Sequence, residues 1–343
     1  MKLSFLDHFD SIASALQPQL LSEKCAVSLN ELCSFFPFDI TSEFGFESRL
    51  GKNEAFCDFF LKIKKNTPGS EILAGKSTFS SLSPLLLRES IWQKIVKIFD
   101  IWTTAGSSLA LLVEEFWLEF DYQDSSYNIT PNIFFGIIEN KEDSRGMQWE
   151  SGLRVLDEIY DILFDIPFPP ALAKNLRSCI TALPDNAGLK HIGFMIPRQT
   201  EAVRLILVNL ETNRLEQYLK EIRWPGNYQE VRQMVDGYSA IFNYFVFNIN
   251  IGESVDPYLG IEMYFPKLLQ PQFNNRWNVA FDFLESEKLL AHEKRVALTG
   301  FCSVRKVSGI FPVSYYNGIS HLKVVYRQNS QAECKAYFGT FIR

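Results

Sequence analysis

The chain is predicted to fold as an α+β antiparallel barrel with helices on its outside, and three observations carry that expectation. Paired strand-like segments recur four times, near residues 114–140, 191–210, 242–266 and 319–342. Each pair but the last is followed by an amphipathic helical stretch. In the clearest strand, Glu115, Trp117, Glu119 and Asp121 share one face and Phe116, Leu118 and Phe120 the other, the period-two pattern of a strand that is apolar on one side. A hairpin-plus-helix unit cannot bury its own apolar face, so repeated units must pack together.

The elements follow in order. Leu6, Phe9, Ile12 and Leu16 recur at helical spacing and stop before Pro18, so a short helix opens the chain. Residues 44–50, Phe44 to Leu50, read as a strand. Residues 64–84, with Pro68, Gly69 and Gly75, read as a loop. Trp92, Ile95, Phe99 and Trp102 mark one helix face, ending near Gly106. The chain is therefore expected to be one domain, 1–343, with an N-terminal elaboration over 1–84 and the repeating hairpin-helix barrel over 107–343.

In the first repeat Ile133–Ile138 is the return strand, and Trp149, Leu153, Leu156, Tyr160 and Leu163 make its covering helix. The second pairs 191–196 with 202–210, and its helix opens at Asn227, with Glu230 three residues on as a capping partner. The third pairs 243–251 with 259–265, followed by a helix through Trp277, Phe281 and Leu284. The fourth pairs 321–327 with 332–341. Phe44-Gly45-Phe46-Glu47 echoes Leu259-Gly260-Ile261-Glu262, which suggests duplication.

Composition narrows the function. Thirty phenylalanines among 343 residues call for a large core or an aromatic cavity. A net charge of −6 argues against non-specific nucleic-acid binding and against attachment to an anionic membrane surface. Asp7 interrupts the place of a signal-peptide apolar run, and no uninterrupted apolar stretch approaches membrane-spanning length, so a cytoplasmic protein is expected. Six cysteines without a CxxC pair and four dispersed histidines point to neither a disulfide framework nor a zinc site.

If helices cover the outside of a closed sheet, the polar face of each strand must look into the lumen. That places Glu115, Trp117, Glu119 and Asp121 there from one strand, Glu262 and Tyr264 from a second, and Lys335 and Tyr337 from a third. At this point the chain resembles the ABBA-type aromatic prenyltransferases, the group of dimethylallyl tryptophan synthases and cyanobactin prenyltransferases. The resemblance lies in the repeat topology over about 110–343 and in a closing hairpin. That hairpin runs His321-Leu322-Lys323-Val324-Val325-Tyr326-Arg327, then Glu333-Cys334-Lys335-Ala336-Tyr337-Phe338, with a Lys-x-Tyr signature.

The resemblance implies prenyl transfer from an allylic diphosphate to an aromatic or peptide acceptor, in natural-product biosynthesis, with no required cofactor and Mg2+ optional. It implies Lys335, Tyr337, Lys323, Arg204 and Arg49 as diphosphate-side residues, with Trp117, Tyr264 and Glu262 also lining the substrate space. Glu115 or Glu119 would bind and deprotonate the acceptor. A departing pyrophosphate needs cations and hydroxyls, and an allylic cation needs aromatic faces and no water.

The chain also departs from the family pattern. Glu262-Met263-Tyr264 carries an acid where a base is expected, and Arg204-Leu205-Ile206 lacks the tyrosine. Asn132-Ile133-Phe134-Phe135-Gly136 lacks an arginine. Two other readings therefore stay open: a non-catalytic peptide- or partner-binding protein of a biosynthetic system, and an enzyme whose acidic centre, Glu47, Glu115, Glu119 and Glu262, acts on a cationic substrate.

Weaker signals read as structural. Gly75-Lys76-Ser77-Thr78 lacks the first glycine of a phosphate-binding loop, Ser70 standing in its place. Asp157, Asp161 and Asp165 form a solvated helix side. His191 and His321 read as satisfied strand histidines.

Overall fold

The computed structural model describes residues 4–52, 54–138, 145–198, 202–266, 269–307 and 312–343. Among these, ten strands form a closed antiparallel barrel: β1 (Glu43–Arg49), β2 (Cys57–Lys64), β3 (Val113–Phe120), β4 (Asn132–Ile137), β5 (Gly188–Phe194), β6 (Val203–Val208), β7 (Tyr244–Ile251), β8 (Val255–Tyr264), β9 (Val313–Tyr326) and β10 (Glu333–Ile342). Each strand pairs with its neighbours in sequence. The ring closes where β1 meets β10, from Glu43↔Phe341 to Arg49↔Lys335. A further strand, Ser303–Val307, lies outside the ring on the first half of β9.

Alternation sorts every strand into two sets of residues. Phe46, Phe59, Leu61, Phe116, Leu118, Ile133, Phe135, Leu205, Phe247, Ile261, Val324 and Phe338 join one apolar core with the surrounding helices. Phe60, Phe134, Met195, Val246, Tyr258, Val325 and Tyr337 are buried but stand apart from that core. They face the lumen. The outer layer includes helices Phe5–Ala13, Glu23–Ser34, Ser90–Thr103, Arg145–Phe164, Tyr228–Ser239, Arg276–Ser286 and His292–Phe301.

Local chemistry sets the helices. Asn227 Oδ1 accepts the amides of Gln229 and Glu230, the capping pair expected from sequence. Trp92 and Trp102 bury their rings against Phe120 and Phe116 and donate their indole N–H groups to Ile129 and Val113 carbonyls, both at 2.9 Å. Burying such a ring contributes about 2–3 kcal/mol, provided its polar atom finds a partner. Leu153, Leu156, Tyr160 and Leu163 lie on the covering helix as expected, and Trp149 lies outside the described side chains.

Several expectations change. The hairpin β1–β2 supplies a fifth pair of barrel strands, and β9 runs 14 residues rather than beginning at His321. A helix, Pro68–Leu73, interrupts the stretch expected as loop. Pro68 opens it and Thr67 joins Ser70 in a capping box. The echo between 44–47 and 259–262 is not duplication: three antiparallel steps separate β1 from β8, so the two run in opposite senses. What they share is a packing need. A Cβ on Gly45 would lie 2.5 Å from the Phe60 ring, and one on Gly260 would lie 2.7 Å from Lys323 Cε. Each glycine admits a large lumen side chain from the next strand and is followed two residues later by a lumen carboxylate.

At Gly45 the Phe338 carbonyl oxygen also lies 2.5 Å from that Cβ position, and backbone at a strand pair cannot retreat. Gly45→Ala is expected to destabilise the fold by about 1–3 kcal/mol. Gly237→Ala, where the nearest atom is 3.7 Å away on a helix, should be neutral or stabilise by up to about 1 kcal/mol. Urea unfolding checks both, and equal effects would contradict the close packing at the β1–β10 seam.

Candidate active site

The lumen opens at one end through a cavity of about 370 Å³ walled by Phe60, Trp117, Tyr316, His321, Tyr337 and Phe341. A second hollow of about 580 Å³ lies at the same end beside Glu115, Lys190, His191 and Tyr244. At the opposite end Asp121, Met195, Arg204, Asn250 and Tyr258 are buried.

Rings form a belt around the inner wall. Successive centroids lie 4.6 Å apart from Tyr264 to His321, 4.4 Å to Tyr337, 6.4 Å to Phe60, 5.1 Å to Trp117 and 5.9 Å to His191. Cations sit over some of these faces: Lys323 over Tyr337 at 5.6 Å and Lys62 over Trp117 at 4.9 Å. Arg204 lies over Tyr258 at 4.6 Å. Such contacts are worth about 0.5–2 kcal/mol, and the same faces can stabilise a bound carbocation.

The sequence-derived candidates fall into separate groups. Lys335 and Tyr337 come together on Glu47: Lys335 Nζ lies 2.5 Å from Glu47 Oε1, and the Tyr337 hydroxyl donates to Oε2. Burial opposes the Glu47 charge, but Lys335 and then Lys323 outweigh it and hold the carboxyl down at about 2. Glu262 lies 3.6 Å from Lys323 and accepts from Asn248 at 3.0 Å and from Tyr264 at 2.7 Å. Burial works against its charge too, yet His321, Lys323 and these bonds hold it at about 2. Burial lowers His321 itself to about 4, so at neutral pH Lys323 is the cation that matters.

Glu115 is fully engaged near the mouth. It accepts from His191 at 3.1 Å and Trp117 at 2.9 Å and pairs with Lys62 at 3.0 Å. Against the cost of burial, these partners hold it well below the usual carboxylate range. Arg49 sits at the rim of the opposite end, tied to Glu333 at 3.1 Å, and Arg204 donates to Asn250 at 2.9 Å.

Glu119 differs from all of these. It lines the lumen and accepts no hydrogen bond among the described residues, and burial with the Glu47 charge raises it to about 7. Asp58 shares this state: burial, then Glu47, raise it to about 7, and it accepts the Tyr122 amide at 2.9 Å. Glu115 and Glu119 stand on one strand face, and the structure separates an engaged acid from a free one.

Sequence reasoning did not single out Asp58, Phe60, Asn132, Arg198 or Asn248 as site residues. Arg198, just after β5, clasps Asp121 through two bonds of 2.7 and 2.9 Å. The available signal was alternation alone, since Asp58, Phe60 and Lys62 follow the period of β2. The loop at 75–78 is structural, with Lys76 Nζ 2.8 Å from Asp100. No group of three or more His, Cys, Asp or Glu among the described residues is placed to hold a metal ion. No helix among them is long and apolar enough to cross a membrane.

Solved structures share this architecture. The 5-dimethylallyltryptophan synthase from Streptomyces coelicolor superposes with a TM-score of 0.52 at 12% identity, covering 98% of this chain and 97% of that one. The apo form of the prenyltransferase PriB gives 0.54 at 11% identity, covering 98% and 96%. A 6-dimethylallyl tryptophan synthase gives 0.53 at 10%, with the same coverage. At such identities the likeness is one of fold, the ABBA-type barrel over nearly the whole chain. No protein-family model matches the sequence, and no curated protein matches it.

The two raised carboxyls set a pH dependence. A carboxyl whose pKa is higher in the folded state gives stability that is complete below the unfolded value near 4, and that is lost as pH rises through about 7. Glu119→Gln is therefore expected to raise stability relative to the parent by about 1–3 kcal/mol at pH 8, with little gain at pH 4. A difference in urea-unfolding free energy that is the same at both pH values would show Glu119 to be ordinarily charged.

Proposed function

We propose that the protein transfers a prenyl group from an allylic diphosphate to an acceptor held in the barrel lumen. The observation that carries this reading is the ring belt around a lumen that holds lysines and arginine on one side and an unengaged carboxyl on the other. The ABBA-type fold supports it, because the matched solved structures include PriB with L-tryptophan and dimethylallyl thiolodiphosphate.

On this reading Lys323, Lys335, Arg204 and Tyr337 take the diphosphate. The allylic C–O bond breaks heterolytically, its electron pair leaving with pyrophosphate. Tyr337, Phe60 and Trp117 face the cation and keep water away. An electron pair of the acceptor forms the new bond to the allylic carbon, and the proton displaced from the acceptor passes to Glu119. Glu119 suits that task because a base near the working pH both binds and accepts a proton effectively. Glu115 does not, being held by His191, Trp117 and Lys62.

The pairing of Lys335, Lys323 and Lys62 with lumen acids favours a second reading, an acidic centre that binds a cationic ligand without a diphosphate. Calorimetric titration with dimethylallyl and geranyl thiolodiphosphate, with and without Mg2+ at low salt, separates the two. Saturable binding weakened at least tenfold in Lys335→Ala and in Arg204→Ala, with unchanged circular dichroism, is expected for prenyl transfer. Absence of binding to either analogue would remove that reading and leave the acidic centre.

A further inference from the structure

Lumen carboxylates outnumber the cations that hold them, and the excess lies in one place. Glu47 has Lys335, Glu262 has Lys323, Asp121 has Arg198 and Glu115 has Lys62. Arg204 is taken up by Asn250 and the Tyr258 ring, and Arg49 by Glu333. Glu119 and Asp58 make no ion pair among the described residues, and the cations that act on them from further off, Lys323 and Arg198 on Glu119 and Lys335 on Asp58, are each paired with another acid. Glu119 stands opposite Phe60 across β2–β3, and Asp58 lies two residues from Phe60 on the same face.

Asn132 adds an independent observation. It pairs with Glu119 across β3–β4 and so shares its face, and it is fully buried. Its Nδ2 donates to Asp121 at 3.0 Å, but its Oδ1 has no donor among the described residues. A buried acceptor without a donor costs about 1–3 kcal/mol, a cost that a bound N–H group removes. Once the two carboxyls are ionised, they and the amide oxygen form a wall that accepts hydrogen bonds without offering any. An anion would be repelled there, and a neutral ring would leave Glu119 and Asn132 Oδ1 without a donor.

We propose that this wall, Glu119, Asp58 and Asn132 Oδ1, seats the positively charged N–H group of the ligand, an ammonium or guanidinium, whose apolar body lies against Phe60 and Trp117. Calling that ligand the acceptor rests on the prenyl-transfer reading; the cation seat itself does not. It stands close to Glu47, Lys323 and Arg198, whose charges are already paired with Lys335, Glu262 and Asp121. Ligand charge would replace the protons that Glu119 and Asp58 hold near neutrality.

The test compares three indoles of similar size by calorimetry at pH 7.5 and low salt: tryptamine, neutral 3-propylindole and anionic indole-3-propionate. Tryptamine is expected to bind at least tenfold more tightly than propylindole, with proton release seen as a buffer-dependent heat, and the propionate most weakly. Glu119→Gln and Asp58→Asn should each reduce the tryptamine preference while propylindole affinity stays within twofold. Equal affinities, a preference for the anion, no tryptamine binding at millimolar concentration, or a preference that survives both substitutions would overturn the seat. A tryptamine preference in a protein that fails to bind the thiolodiphosphates would uphold the seat and remove prenyl transfer.

Discussion

Everything inside the barrel depends on the seam between the first and last strands. In an open sheet the polar faces of β1 and β10 would be solvated, and their charges would interact weakly across water. Closure turns that face inward and makes each charge find a partner. The seam carries its own pair, Lys335 with Glu47, joined by Tyr337. Removing one member of such a buried pair costs about 3–5 kcal/mol, because the other is left charged and alone. Gly45 and Gly339 face each other across the same seam, where a Cβ on Gly339 would lie 2.4 Å from the Phe44 carbonyl oxygen. Backbone approach and ion pairing thus act together, and a ligand that draws Lys335 away from Glu47 must replace part of what closes the barrel.

Closure also explains why acids on one strand behave so differently. Glu115 and Glu119 share a face two pleat repeats apart, yet only Glu115 lies within reach of β5, where His191 meets it, and of Lys62 on β2. Glu119 faces Phe60 on one side and Asn132 on the other. A carboxyl between a ring and a buried amide, largely withdrawn from water, with Glu47 nearby and Lys323 and Arg198 acting only from beyond ion-pair distance, holds its proton to near-neutral pH.

Much of the architecture was legible from period alone. Phe116, Leu118 and Phe120 against Glu115, Trp117 and Glu119 defined an inside and an outside before any pairing was known. Asn227 with Glu230 marked a helix start. The hairpin β1–β2 was harder to see, because Cys57–Lys64 is apolar at most positions and its alternation rests on Asp58 and Lys62. Partnership was not legible at all. Glu47 and Lys335 stand 288 residues apart, and nothing local distinguishes Glu119 from Glu115. Asn132 stood out in the sequence as the absence of an arginine; its role depends on Asp121 and Glu119, which only the register of β3 and β4 brings to it.

Register also gives a different meaning to the acid at 262. Taken alone, Glu262 in place of a base removes a cation from the lumen. Paired across β8–β9 with Lys323, it makes that strand pair neutral, and the remaining charge is distributed unevenly around the ring. β1 to β4 contribute Glu47, Asp58, Glu115 and Glu119 against Lys62. β6 to β10 contribute Arg204, Lys323 and Lys335 against Glu262. The lumen therefore has an acidic wall and a basic wall with rings between them. A field of that sense favours separation of an allylic diphosphate only if the anion lies toward β6–β10 and the electron-donating partner toward β3. With the walls reversed, both the leaving anion and the proton acceptor would oppose the local charge. The fold thus constrains the orientation of any such reaction even where the identity of the acceptor is set by finer contacts.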